Sequence, residues 1–314
     1  MDITAVKSVA ERVIENVSRI IVGKEETAKQ ALICIIGSGH MLLEDVPGTG
    51  KTMFARAVAR SLDCSFARIQ FTPDLLPSDV TGIHYYSQRD NDFILRKGPV
   101  FTNILLTDEI NRATPRTQSA LLECMEERQV SIDNETIPLS APFFVIATQN
   151  PVETQGTFPL PEAQLDRFLI KGSMGYPSRD EARAILERFD GQNPLDSLSP
   201  VAGAADIARA AAAYPGVYIS DDLKYYIIEI AEKTRNHDSV YLGVSPRGTQ
   251  ALMKASKILA AIEGRDFVIP DDIKKLCRPV LAHRLVTSIA IGGADPSARV
   301  LDDLLASVPV PKEN

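Results

Sequence analysis

The sequence has no tryptophan, 6% aromatic residues, four cysteines and four histidines in 314 residues. Cys34, Cys64, Cys124 and Cys277 are far apart and form no C-x-x-C pair, which excludes a disulfide framework or a zinc ribbon as the basis of the fold. They read as small buried hydrophobes. His40, His84, His237 and His283 stand at no metal-ligand spacing from one another or from a cysteine, and read as structural histidines. A basic excess is also missing. Lys and Arg number 34 against 41 Asp and Glu, a net charge of -7, and such a chain repels a polyanion unless its cations gather on one face. No nucleic-acid partner is expected. No apolar run is long enough to span a bilayer, and the opening MDITAVKSVAERVIENV mixes charges among its apolar residues, unlike a signal or transit peptide. The expectation is a cytoplasmic protein without a membrane segment. Internal repeats and low-complexity tracts are absent, and only the PVPKEN tail reads as disordered.

What is present divides in two, as the length also suggests. From about residue 25 to 172, the apolar runs HMLLE, SFARIQF, NILLTDE and PFFVIAT alternate with helical periodicity such as TMFARAVARSL and TPRTQSALLECMEER. Alternating strands and helices imply an α/β fold, a parallel sheet covered by helices on both faces. Beyond Tyr176-Pro177 strand signals largely stop. Ser178 with Glu181 forms a capping box for a helix through Phe189. Further helices are expected near 203–213, from Ser220 to about Lys233, and from Ser245-Pro246 to Gly264. The division is an α/β unit over 1–176 and a smaller all-α unit over 177–314.

The stretch LLEDVPGTGKT carries the phosphate-loop pattern G-x-x-x-x-G-K-[ST] with Asp45 in place of the first glycine. In such loops backbone N–H groups surround the β-phosphate, the lysine reaches the β/γ oxygens and the hydroxyl holds Mg²⁺. Pro47, Gly48, Thr49, Gly50, Lys51, Thr52 and Met53 supply this element between an apolar strand and a helix. Asp45 is expected to turn the chain out of the strand without gripping phosphate, because Asp tolerates unusual backbone angles better than most residues. The strand NILLTDE delivers Asp108 and Glu109 at its carboxyl end, where ligands of open α/β sheets bind. Asp108 beside Thr52 suits the Mg²⁺ shell, and Glu109 suits polarising a water.

The phosphate loop, LLTDEINRATPRTQSALLECMEERQV, FFVIATQNPVETQGTFPLPEAQLDRF and VSPRG together resemble the MoxR-type AAA+ ATPases over nearly the whole chain. The family commonly relaxes the first glycine of the loop. The resemblance implies a P-loop AAA+ core with its parallel sheet between helices, followed by a smaller all-α lid domain, with ATP and Mg²⁺ as cofactors. It implies that Asn150 is sensor 1, orienting water near the γ-phosphate, and that Arg167 is an arginine finger offered to a neighbouring subunit's nucleotide. Arg247 corresponds to sensor 2, a choice that the helix dipole alone would disfavour in a first turn, and Val22 and Gly23 to the adenine-packing stretch. A helix-2 insert over about 73–100 and a pre-sensor-1 hairpin over about 129–142 mark the subgroup. Alternating apolar residues around Asp133-Asn134 fit such a hairpin independently.

In functional terms the resemblance implies a ring, a homo-hexamer, that remodels or matures client proteins. The family often works with a partner containing a von Willebrand factor A domain, sometimes for cofactor or metal insertion. The ATPase subunit of magnesium chelatase is a near alternative. A monomeric P-loop kinase of a small molecule and a nucleotide-binding scaffold without turnover are alternatives of other classes.

Overall fold

The computed structural model describes residues 3–133, 135–151, 155–188, 194–288 and 295–311. The chain opens with helices α1 (Ile3–Ser18) and α2 (Glu25–Ile36), then β1 (Met41–Glu44), α3 (Lys51–Ser61) and β2 (Phe66–Gln70). A short helix α4 (Pro77–Thr81) precedes the hairpin β3 (Gly82–Ser87) and β4 (Asp92–Lys97). Next come β5 (Ile104–Asp108), α5 (Pro115–Glu127), the pair β6 (Gln129–Ile132) and β7 (Glu135–Pro138), β8 (Phe144–Gln149), α6 (Glu162–Leu165) and β9 (Ile170–Gly172). The remainder comprises α7 (Arg179–Arg188), α8 (Ala204–Ala213), α9 (Asp221–Arg235), β10 (Val240–Leu242), α10 (Pro246–Ile262), α11 (Pro270–Leu281), β11 (Val286–Thr287) and α12 (Pro296–Ser307).

The five strands β2-β5-β8-β1-β9 form a parallel sheet. Leu105, Val145 and Ala147 point to one face, while Ile104, Leu106, Phe144 and Ile146 point to the other, as a period of two requires. Both faces are buried, so the central strands read as continuous apolar runs. On the second face, the cluster containing Phe54, Ile104 and Phe144 runs on without interruption through Ala10, Leu32, Ile258 and Leu276. The apolar core is therefore continuous from the sheet into the helical half. Helix α1 lies at this junction, packed against α3, α8 and α10.

The expected strands and helices appear close to their expected bounds. Ser178 and Glu181 make the reciprocal bonds of a capping box, and Ser220 and Ser245 cap α9 and α10. Phe189, Asn134 and residues 312–314 of the tail lie outside the described residues. The structure adds β9, whose three residues IKG are too short to show alternation and are specified by pairing with β1. It also adds α11, α12 and the small β10-β11 pair. Pro279 lies inside α11 and imitates a helix stop, whereas Pro270 opens the same helix where its missing N–H is harmless. The two inserted hairpins touch, with His84 of β3 hydrogen-bonded to Asp133 at 2.9 Å.

Buried Asn16 fixes α1 to this frame, its Nδ2 donating to Ser61 Oγ and to the Ser199 carbonyl, both at 3.0 Å. Asn16→Ala removes both donors and is expected to cost about 1–3 kcal/mol, read from the midpoint of urea unfolding. No change would mean that apolar packing alone holds α1.

Candidate active site

The parallel register sets Gln70 level with Asp108, and Glu44 level with Gln149. The carboxyl ends of β2, β5, β8 and β1 consequently share one edge of the sheet. Along that edge runs a cleft of about 350 Å³ lined by Pro47, Gly48, Gly50, Lys51, Thr52, Met53, Asp108, Glu109 and Asn150. Gly48 and Gly50 have φ of 85° and 88°, a region that side chains adopt at a cost. Gly50 is the N-cap of α3 and offers no capping side chain, so the first N–H groups of that helix are left for an anion. The Lys51 ammonium donates to the carbonyls of Asp45 and Val46, each at 3.0 Å. A Cβ on Gly48 would meet nothing within 4 Å, which leaves the mouth of the loop open.

Asp45 does something other than what its backbone tolerance suggests. It is not among the described residues with positive φ, and its buried carboxylate accepts hydrogen bonds from Ser173 Oγ (2.7 Å), Met174 N (2.6 Å) and Gly175 N (3.0 Å). The missing glycine is thus an anchor for the chain leaving β9. Removing it would leave two backbone donors and a hydroxyl without their acceptor.

Asp108 is buried, with Oδ2 accepting from Arg68 Nε at 2.6 Å and Oδ1 from Thr148 Oγ1 at 3.3 Å. Glu109 follows in the left-handed region, φ 57°, a strained conformation that clusters at functional positions. Its N–H donates to Thr148 Oγ1 at 2.9 Å, and its Oε2 accepts from Gln70 Nε2 (2.8 Å) and Arg112 Nε (2.9 Å). Thr148 therefore connects both acids to β8, next to Asn150. Thr52 and Asp108 supply a hydroxyl and a carboxylate on one cleft, hard oxygen donors that fit Mg²⁺ together with phosphate oxygens.

Other expected residues lie elsewhere. The Thr49 hydroxyl turns back to the Val46 carbonyl at 3.4 Å. Val22 and Gly23 do not line the cleft. Gly23, with φ 69°, abuts α7, and a Cβ there would strike the Glu181 carboxylate. Arg167 and Arg247 line a second cleft of about 330 Å³ that shares no lining residue with the first. Arg167 pairs with Glu126, not with its neighbour Asp166, at 2.9 Å, and Arg247 pairs with the other oxygen of Glu126 at 3.0 Å. That carboxylate gives Arg247 a structural partner in a helical first turn, which the helix dipole alone does not suggest. Sequence reasoning missed Arg68, Gln70 and Thr148. Arg68 and Gln70 share the polar alternation of SFARIQF, the one signal that points to them.

The family profile described as "ATPase family associated with various cellular activities (AAA)" matches residues 40–170, and that described as "AAA lid domain" matches residues 232–303. Over 314 aligned residues the chain is 40% identical to the chaperone MoxR1 of Mycobacterium tuberculosis, covering 97% of this chain and 83% of that one. It is 52% identical to the uncharacterized protein YeaC of Bacillus subtilis over 275 residues, 88% of this chain and 86% of that one. A crystal structure of a candidate ATPase from Cytophaga hutchinsonii superposes with a TM-score of 0.91 at 37% identity, covering 99% and 97% of the two chains.

Restoring the phosphate-loop glycine should weaken this protein. Asp45→Gly is expected to lower unfolding free energy by about 2–4 kcal/mol through the lost charge-assisted hydrogen bonds, measured by chemical denaturation. An unchanged or raised stability would refute the anchoring role.

Proposed function

The chain belongs to the MoxR family of AAA+ ATPases, and from that premise we propose that it hydrolyses ATP with Mg²⁺ as a homo-oligomeric ring, a hexamer. The observation that carries the reading is the division of its charged machinery between two clefts. The phosphate loop, Asp108, Glu109 and Asn150 share one cleft, while Arg167 and Arg247 stand together in the other. A chain that holds half of a phosphoryl-transfer site on each of two separate clefts is completed by a neighbour. The arginines then meet the charge developing on a neighbouring subunit's nucleotide.

Bound MgATP would supply the transferable phosphoryl group, with Thr52 and Asp108 as ion ligands. The Lys51 ammonium, now on loop carbonyls, is within the loop that would receive phosphate. Glu109 orients and polarises the attacking water, held in place by Gln70, Arg112 and the Thr148 hydroxyl. Asn150 adds a polar side chain beside it, and Arg68 balances the charge of buried Asp108.

The ring serves as a chaperone-like machine in the cytoplasm, remodelling or maturing client proteins with a partner bearing a von Willebrand factor A domain. Its α/β unit spans 1–176 and its helical unit 177–314. The β3-β4 hairpin supports a client-facing role because Ile83, Tyr85, Tyr86 and Phe93 are all exposed, an apolar surface of the kind that marks interaction sites. No helix among the described residues is long and apolar enough to cross a membrane.

Glu109→Gln should keep ATP affinity while lowering hydrolysis on the order of 100-fold or more; lost binding with hydrolysis spared would contradict the assignment. The split between clefts predicts complementation. Arg167→Ala chains mixed with Lys51→Ala chains should recover part of the activity that each lacks alone, and the wild-type rate per chain should climb with protein concentration. A flat rate from a persistent monomer would instead return the kinase reading.

A further inference from the structure

The second cleft carries more positive charge than the two family arginines account for. Five cationic side chains, Arg128, Arg167, Arg247, Lys254 and Arg284, line it against two carboxylates, Glu126 and Asp166. Both carboxylates are engaged. Glu126 divides its oxygens between Arg167 and Arg247, and Asp166 accepts from Arg284 Nε at 2.7 Å and from Ser245 Oγ at 3.4 Å. His40 adds no charge. Burial pushes its imidazole down to about 4, and it is bonded between the Val145 N–H and the Met125 carbonyl.

Arg128 and Lys254 remain at the other end. The Arg128 guanidinium donates to the Ser38 carbonyl at 2.5 Å, and Lys254, among the described residues, has no hydrogen bond or ion pair. Lys254 lies two turns beyond Arg247 on α10, so both reach the same cleft. Burial, and then the charge of Arg128, hold its ammonium below the usual lysine range. A half-buried lysine beside an arginine, with no acid to pair, is costly by itself. In a protein of net charge -7, a concave cluster of this kind suits an anion. The lining has no phenylalanine, tyrosine or tryptophan to stack a base, and Arg forks with a Lys point charge are the groups that take phosphate oxygens.

We propose that this cleft is a polyphosphate-binding site in which Arg128 and Lys254 form a subsite beyond Arg167 and Arg247, and in which the Glu126 carboxylate stands in for a phosphate group until one arrives. Pairs as exposed as those of Glu126 are weak, so a multiply charged phosphate displaces the carboxylate readily. The polyphosphate is the phosphate end of a neighbouring subunit's nucleotide or a free chain of phosphates; the first source rests on the chain working as a ring.

The probe is sodium tripolyphosphate titrated by calorimetry into Lys51→Ala protein, whose phosphate loop is disabled. Binding should weaken as salt rises. Adding Glu126→Gln should tighten it several-fold, adding Lys254→Gln should weaken it about tenfold, and Lys254→Arg should restore it. Thermal melts of the Lys254→Gln variant should equal or exceed the parent, because the side chain makes no bond to lose and its half-buried charge is costly. No binding by the Lys51→Ala protein, or affinity unmoved by Lys254→Gln, overturns the proposal. In the mixed-subunit assay, placing Lys254→Gln on the Lys51→Ala chain separates the sources. Lost recovery assigns the Lys254 subsite to the neighbour's nucleotide, and retained recovery beside calorimetric binding assigns that subsite to a free polyphosphate. Failure of the parent mixture to recover would sink the ring reading while the calorimetric result stands.

Discussion

Parallel pairing of β5, β8 and β1 is the constraint on which the rest depends. Strands that run the same way must end on the same edge, and a level register brings their last residues within one cleft. The phosphate loop, the two acids and Asn150 are far apart in the chain, yet need no loop of unusual shape to meet. Their positions follow from backbone hydrogen bonds deep in an apolar interior. The polar residues that tune them use the same register, since Gln70 stands opposite Asp108 and Thr148 reaches both Asp108 and the Glu109 N–H.

Legibility in the sequence tracks how locally each feature is specified. The loop from Pro47 to Thr52 is readable because its chemistry occupies adjacent residues, and the strand-helix alternation is readable because apolar periodicity is local. Arg68 and Gln70 are not, because a polar residue at every second strand position ordinarily marks a solvated face, and Thr148 is not, because a lone buried threonine near the end of an apolar strand is ordinary. Glu126 is hidden for a different reason. A carboxylate near the end of a helix is commonplace, and its partner Arg247 lies 121 residues away. Asp45 looks like a lapse in a motif, and only the three donors arriving from residues 173–175 show what it holds.

Charge is distributed with similar economy. An acidic chain has gathered cations into one concavity, while the neighbouring acids are each shared with arginines. Arg284 is buried and held by Asp166 and by the carbonyl of Phe168, so it braces the walls of that concavity and stays put. Arg247, half-exposed at the start of α10, has the freedom that Arg284 lacks.

The apolar core that runs unbroken from the sheet through α1 into α10 and α11 has a mechanical consequence. Where α1, α3 and α10 meet, apolar side chains of both halves interdigitate, so the helical half does not turn there as a door turns on a pin. Displacement at the seam must proceed as packed side chains sliding over one another, which permits small translations and resists large ones. Force applied to one half of the chain is then passed to the other as through a stiff block, with little lost to bending along the seam.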